Sequence, residues 1–319
     1  MSKLKCLSAL VVAAGLIFGL AGSVFGERAK TLTFYAISHS GATDPYWAVA
    51  KRGIEDAARA LGVKAIFEGP EQFNIAKQLD LFETALAAKP DGIATTISDP
   101  KVFLEPVTRA IKLGIPVIAW DTPDYDGKVP YLAFIGADEL KAGQNIARRM
   151  SSQLAPGDRV VVAIHQPGLV CLEIRFQGIE AVLKTRNIKV ERLDIGVDPT
   201  RGAELLKSYF RRYPETKVIF ALGPLGTAAA CKVIEEERLE GKVKVATFDL
   251  DPLTVEYIRR GIVECAVDAQ PYMQGYMSVV SLYLKAKYDI APTDINTAGG
   301  FIDAKNLSLV EELAKKGYR

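Results

Sequence analysis

Val160-Val161-Val162-Ala163-Ile164 is apolar at every position, with no alternation. A strand with one wet face alternates apolar and polar side chains. An unbroken apolar run is buried on both faces, as in a parallel sheet covered by helices. Working outward, the run sits inside a repeating rhythm. Upstream, strands are expected at Thr31–Ser38, Val63–Glu68, Gly92–Ile97, Pro116–Trp120 and Tyr131–Ile135, with helices at Pro45–Leu61, Ile75–Ala88, Leu104–Leu113 and Leu140–Leu154. Downstream, strands Val190–Ile195, Val218–Leu222, Val243–Phe248 and Val263–Val267 alternate with helices Glu173–Lys184, Ala203–Arg212, Thr227–Arg238 and Leu253–Arg260. A long helix Tyr272–Lys287, a short strand near Gly300–Asp303 and a helix Leu307–Lys315 finish the chain.

Repeated βα units give an α/β architecture with right-handed crossovers. About ten such strands are more than one compact sheet holds comfortably, and more than the eight of a (βα)8 barrel. Two doubly wound parallel-sheet lobes, dividing near Ala137, are therefore expected. The 319 residues suit two domains. The balance of 40 Lys+Arg against 38 Asp+Glu, a net charge of +2, leaves no basic excess for a nucleic-acid backbone. Four Cys and two His are too few and too scattered for a disulfide scaffold or a zinc site. No metal or cofactor is expected. Cys171, Cys231 and Cys265 read as small buried apolar residues.

The N-terminus reads as an address. Lys3 and Lys5 precede an apolar run from Leu7 to Leu20, followed by small residues up to Gly26. A basic start, an apolar middle and a small-residue cleavage site make a secretory signal peptide over residues 1–26. The competing reading is a retained membrane anchor; the glycines in the run favour cleavage and export.

In open parallel sheets, ligands sit beyond the carboxyl ends of the strands. The first strand runs into Asp44-Pro45-Tyr46-Trp47, where Asp44 suits a helix N-cap and Pro45 the first turn; Asp44 here and Pro224 in the second half are also expected to be ligand-binding. At least one of Tyr46 and Trp47 is expected to face the cleft as an aromatic platform, with Trp47 preferred. The third strand ends at Asp99, readable as a ligand group or as the next helix's cap. Asp121 follows Ala119-Trp120 and precedes Thr122-Pro123; a carboxylate there is costly unless it is paired or open to a cleft. As an ionised acceptor it would bind two hydroxyls strongly. Asp249 repeats the pattern after Phe248, and Gln270 offers an amide after Val263–Val267. Arg175 lies near a helix start, where a cation does not complement the dipole, so a ligand hydroxyl or a partner Asp is expected to hold it unless it is a plain surface residue. No GxSxG, HExxH or GxxxxGK[ST] motif is present, and no catalytic set is assembled.

Read together, Asp44-Pro45-Tyr46-Trp47, Gly114-Ile115-Pro116-Val117-Ile118 leading to Asp121, Ile135-Gly136-Ala137-Asp138, Phe248-Asp249 and Ala269-Gln270-Pro271-Tyr272-Met273-Gln274-Gly275-Tyr276 resemble the periplasmic sugar-binding proteins of ABC importers, of the ribose-binding type. The resemblance covers the whole mature chain. It implies two lobes joined by a three-strand hinge, one of residues 27–137 plus 271–298 and the other of 138–270 plus 299–319. It implies a small sugar or polyol clamped between them by Pro45, Tyr46, Trp47, Asp121, Arg175, Asp249 and Gln270. The partners it implies are an ABC transporter permease and, alternatively, a chemoreceptor or sensor kinase; a monomer is expected, in the periplasm or its extracytoplasmic equivalent. The related repressors share the body but begin with a DNA-binding headpiece, where an export signal is expected here.

Three positions depart from the pattern. Thr122 follows Asp121 where the family often has Arg, Gly223-Pro224 stand where ribose-type proteins carry Asn-Asp, and a stacking aromatic is replaced near Val197. The stretch Trp120-Asp121-Thr122-Pro123-Asp124, with Pro224, is similar to the branch that binds a furanosyl signal and rhamnose-like sugars. A small or deoxy polyol is thus as well matched as a common hexose. The rival outside this class is a secreted sugar-processing enzyme.

Overall fold

The computed structural model describes residues 31–319. The signal peptide expected at 1–26 lies outside the described residues. The first sheet takes β1 (Thr33–Ile37), β2 (Lys64–Glu68), β3 (Gly92–Thr95), β4 (Val117–Trp120) and β5 (Phe134–Gly136), connected by α1 (Pro45–Leu61), α2 (Ile75–Ala87) and α3 (Pro100–Lys112). The second takes β6 (Arg159–Ile164), β7 (Lys189–Asp194), β8 (Thr216–Ala221), β9 (Lys244–Phe248) and β10 (Val263–Asp268). Its helices are α4 (Glu139–Ser151), α5 (Val170–Thr185), α6 (Pro199–Arg212), α7 (Pro224–Glu236) and α8 (Pro252–Arg259). The chain then returns through α9 (Pro271–Tyr288) to β11 (Ile295–Asn296) in the first sheet, and ends with β12 (Gly300–Ile302) in the second and α10 (Leu307–Lys315).

The two sheets share one strand order. Their strand orders are β11-β5-β4-β3-β1-β2 and β12-β10-β9-β8-β6-β7. Every pairing is parallel except β10 with β12. The chain passes between the sheets three times, at residues 136–139, 268–271 and 296–300. Both faces of each sheet are covered. In the first, Phe82, Ile93 and Phe103 pack on one side, and Phe34, Ile54, Trp120 and Leu282 on the other. The expected run at 160–164 is buried throughout. Among the described residues, no helix is long and apolar enough to cross a membrane.

Helices begin earlier than the apolar periodicity indicates, because caps rather than core residues set their starts. Asp99 accepts the Lys101 N–H at 2.8 Å, so α3 starts at Pro100 and not at Leu104. Proline in the first turn likewise starts α7 at Pro224. The strand expected at Tyr131–Ile135 is shifted to β5, and the two-residue β11 carried no pattern long enough to read.

Glycines set the closest helix contacts. A Cβ on Gly53 of α1 would lie 2.1 Å from the Tyr272 carbonyl oxygen, and one on Gly275 of α9 would lie 2.1 Å from that of Ala50. The α4–α5 pair repeats this: a Cβ on Gly143 would meet the Arg175 carbonyl oxygen at 2.3 Å. Backbone therefore touches backbone in one helix pair of each lobe.

Candidate functional site

A cavity of about 1040 Å3 opens where the carboxyl ends of the two sheets face each other. The first lobe contributes Asp44, Pro45, Tyr46, Phe73, Asp121 and Tyr125, and the second Arg175, Pro224 and Asp249. Glu139, Ala269 and Gln274 line it beside the crossings.

Asp121 follows β4 directly and adopts φ 59°; Asp249 follows β9 directly and adopts φ 67°. Left-handed backbone at a non-glycine residue costs about 1–3 kcal/mol and persists where surroundings over-determine it, most often at functional sites. Asp and Asn tolerate it best. Each N–H is bonded to the adjoining strand: Asp121 donates to the Ile135 carbonyl at 2.9 Å, and Asp249 to that of Val267 at 3.0 Å. The turn lifts each carboxylate off its strand end toward the cavity.

Tyr46 reaches the same point from α1. Asp44 caps the helix by accepting the Tyr46 N–H at 2.9 Å. The Tyr46 hydroxyl lies 2.7 Å from Asp121 Oδ1 and 3.1 Å from Gln274 Oε1. Thr122 Oγ1 donates to the other Asp121 oxygen at 2.7 Å. Burial, and after it the Asp121 charge, pushes the Tyr46 phenol well above its ordinary range, so it keeps its proton.

Arg175 is buried, and its partner was not legible in the sequence. Glu139 takes it bidentately, with Nε to Oε2 at 2.6 Å and Nη2 to Oε1 at 3.0 Å. Nη1 donates to the Leu222 carbonyl at 3.0 Å and lies 3.4 Å from Asp249 Oδ2. The guanidinium also sits 4.5 Å over the Phe248 ring. Burial opposes its charge, but Glu139 and then Asp249 override it and hold Arg175 as a cation. The close α4–α5 packing at Gly143 places the two ends of this pair together.

The expected residues divide. Asp44, Pro45, Tyr46, Asp121, Arg175, Pro224 and Asp249 converge on the cavity. The preference for Trp47 as the ring facing the cleft is corrected: Trp47 is 4% exposed and belongs to the core. Helical spacing aligns it with Ala50 and Ile54 on the buried face of α1, and it meets Trp120 edge to face at 5.3 Å. Tyr46, one residue earlier, takes the cleft side. Asp99 serves as the α3 cap and is not among the lining residues. Gln270 is likewise absent from the lining; it turns the second crossing at φ 56°, and Gln274, one helical turn on, faces the cavity instead.

Sequence reasoning missed Phe73, Tyr125, Glu139 and Gln274 as lining residues. Phe73 is 63% exposed at the mouth, edge-on to His39 at 5.2 Å. It lies in the loop after β2, immediately before the cap Asn74, so a search of every strand end would have found it. His39 is depressed by burial and stays neutral near pH 7, bonded at 3.2 Å to Thr96 Oγ1. Cys171 lines the cavity, whereas Cys231 and Cys265 are buried; all three are unpaired. Among the described residues, no cluster of three or more His, Cys, Asp or Glu is arranged to hold a metal ion.

Two α/β lobes of equal strand order, facing each other over a cleft of carboxylates, a phenol and one paired guanidinium, define a two-lobed binding protein. The chain belongs to the periplasmic binding protein domain family, which matches residues 35–289. It is 28% identical over 280 residues to the xylose/arabinose-binding protein XylF of Sulfolobus acidocaldarius, covering 83% of this chain and 69% of that one. The crystal structure of a periplasmic sugar-binding protein of an ABC sugar transporter from Legionella pneumophila is 37% identical, with a TM-score of 0.70 over 83% of this chain and 99% of that one. A carbohydrate transporter structure from Acidothermus cellulolyticus 11B, in complex with myo-inositol, is 27% identical, with a TM-score of 0.72 over 91% of this chain and 100% of that one.

Proposed function

We propose that this protein captures a small neutral sugar or polyol, a pentose or cyclitol by the evidence of its relatives, and delivers it unchanged to the membrane permease of an ABC importer. The observation that carries the reading is the pair Asp121 and Asp249, raised at equivalent strand ends on opposite sides of one cavity. Each offers acceptor oxygens to ligand hydroxyls. The Arg175 guanidinium, whose Nη2 gives only one of its two hydrogens to Glu139, supplies a donor from the second lobe, and the exposed rings of Phe73 and Tyr125 offer apolar faces to C–H groups.

Residues 27–137 plus 271–298 would swing against 138–270 plus 299–319 about the three crossings, closing on the ligand as hinged binding proteins do. Closure is driven by the ligand's differential affinity for the closed state, so hydroxyls that bond to both lobes at once supply it. Binding without chemical change is part of this reading, as is export from the cytoplasm with loss of residues 1–26. Thermal unfolding against xylose, arabinose, ribose, allose and myo-inositol, followed by calorimetry and recovery of the bound compound, tests it. A rise in melting temperature with intact compound recovered is expected. No binder in the panel, or a converted product, would overturn it.

A further inference from the structure

We propose that Gln274 is a positioning residue that carries the occupancy of Asp121 to the three chain crossings, through the single hydroxyl hydrogen of Tyr46. The proposal rests on the sugar-binding reading only for what triggers it. Gln274 is 1% exposed yet touches the cavity. Its Nε2 donates to the Ala269 carbonyl at 2.9 Å and to Thr297 Oγ1 at 3.2 Å, which orients the amide with Oε1 toward Tyr46. Ala269 lies in the second crossing and Thr297 in the third. Thr297 Oγ1 donates to the same Ala269 carbonyl at 2.7 Å, and its N–H donates to the Gly136 carbonyl, at the first crossing, at 2.9 Å. Gln274 therefore bonds directly to the second and third connections between the lobes and reaches the first through Thr297.

The other end of the relay has two acceptors and one hydrogen. A phenol donates once. Asp121 Oδ1 at 2.7 Å is charged and nearer than Gln274 Oε1 at 3.1 Å, so Asp121 takes the hydrogen bond. A ligand hydroxyl donating to Asp121 Oδ1 draws on the same oxygen's charge, weakens its hold on the Tyr46 hydrogen and shifts that hydrogen toward Gln274. Accepting it polarises the amide, makes Nε2 a stronger donor and tightens its hold on Ala269 and Thr297. Ligand on the first lobe is thereby felt at the hinge before the second lobe makes any contact.

Asp121→Asn tests this without any sugar. Loss of the carboxylate charge should turn the Tyr46 hydrogen toward Gln274, so amide hydrogen exchange at 136–138, 268–271 and 296–300 should slow about two- to ten-fold, the scale of one net hydrogen bond. The double variants Asp121→Asn/Gln274→Leu and Asp121→Asn/Tyr46→Phe should both lose that slowing. The second leaves Gln274 and its hinge bonds in place, so it decides the matter even if the leucine variant folds poorly. Slowing that survives Tyr46→Phe, or exchange unchanged by Asp121→Asn alone, would overturn the relay. L-arabinose and myo-inositol added to the wild-type chain form a separate arm. Failure of both to bind weakens the sugar reading, while the sugar-free arm still decides the role of Gln274.

Discussion

Asp121 and Asp249 stand at the same station in two sheets of identical strand order, each one residue past the strand and each in left-handed backbone, at φ 59° and 67°. Each donates its N–H to the neighbouring strand, Asp121 to Ile135 and Asp249 to Val267. Their surroundings differ. Asp121 is bonded by the neutral hydroxyls of Tyr46 and Thr122, whereas Asp249 lies beside the Arg175 guanidinium. The first lobe thus presents a negative acceptor and the second a partly neutralised one beside a donor.

Asp121→Ala should weaken binding of the cognate sugar about ten- to a hundred-fold, the effect of losing a charged hydrogen-bond acceptor. Calorimetry reads this directly. Wild-type affinity in the variant would remove Asp121 from the site.

Glu139→Ala should cost about 3–5 kcal/mol of stability, because it leaves the buried Arg175 without its bidentate partner. Urea denaturation checks this. The paired change Glu139→Leu/Arg175→Met should recover most of the loss, since it removes both charges together.

Trp47 and Phe73 should separate stability from binding. Trp47→Ala empties a core position and should cost about 3–5 kcal/mol. Phe73→Ala, at an exposed ring, should change stability by less than about 0.5 kcal/mol and instead lower sugar affinity. Equal stability losses from both would contradict the assignment of one ring to the core and the other to the cleft.

The pH dependence has a defined sign. Burial lowers the pKa of both His39 and His165, the only histidines in the chain, below the ordinary value of 6.5. Below that value the unfolded chain binds protons that the folded state refuses. Stability is therefore constant with respect to these groups above it, and falls as the pH drops below it toward the lowered folded values. The slope is at most about 1.4 kcal/mol per pH unit for each histidine. Denaturation midpoints between pH 5 and 7.5 should show the fall, and His39→Leu should flatten it.

The fold was legible because burial on both faces writes itself as unbroken apolar runs, as at 160–164, and because Gly62 and Gly114 close helices where expected. The carboxylates were legible because Asp after Trp120 or Phe248 conflicts with the burial of the strand before it. Trp47 was misplaced because one residue of helical rotation exchanges cleft for core, and nothing local fixes that rotation at a helix start. Glu139 and Gln274 were not legible as site residues: their roles come from Arg175 and from the crossings, which only the tertiary structure brings near.

The contact of α1 with α9 has a consequence for how the molecule is made. On a chain emerging amino end first, the backbone seat around Gly53 stays empty until Gly275 has been synthesised, after every strand from β6 to β10. Until then Ala50 and Ile54 pack only on the strands beneath them, such as at Phe34 and Trp120, and lack the cover that Val279 and Leu282 of α9 supply. The half that is read first thus stays incomplete through the synthesis of nearly all of the other, and during that interval the nascent chain depends on whatever shields it from aggregation.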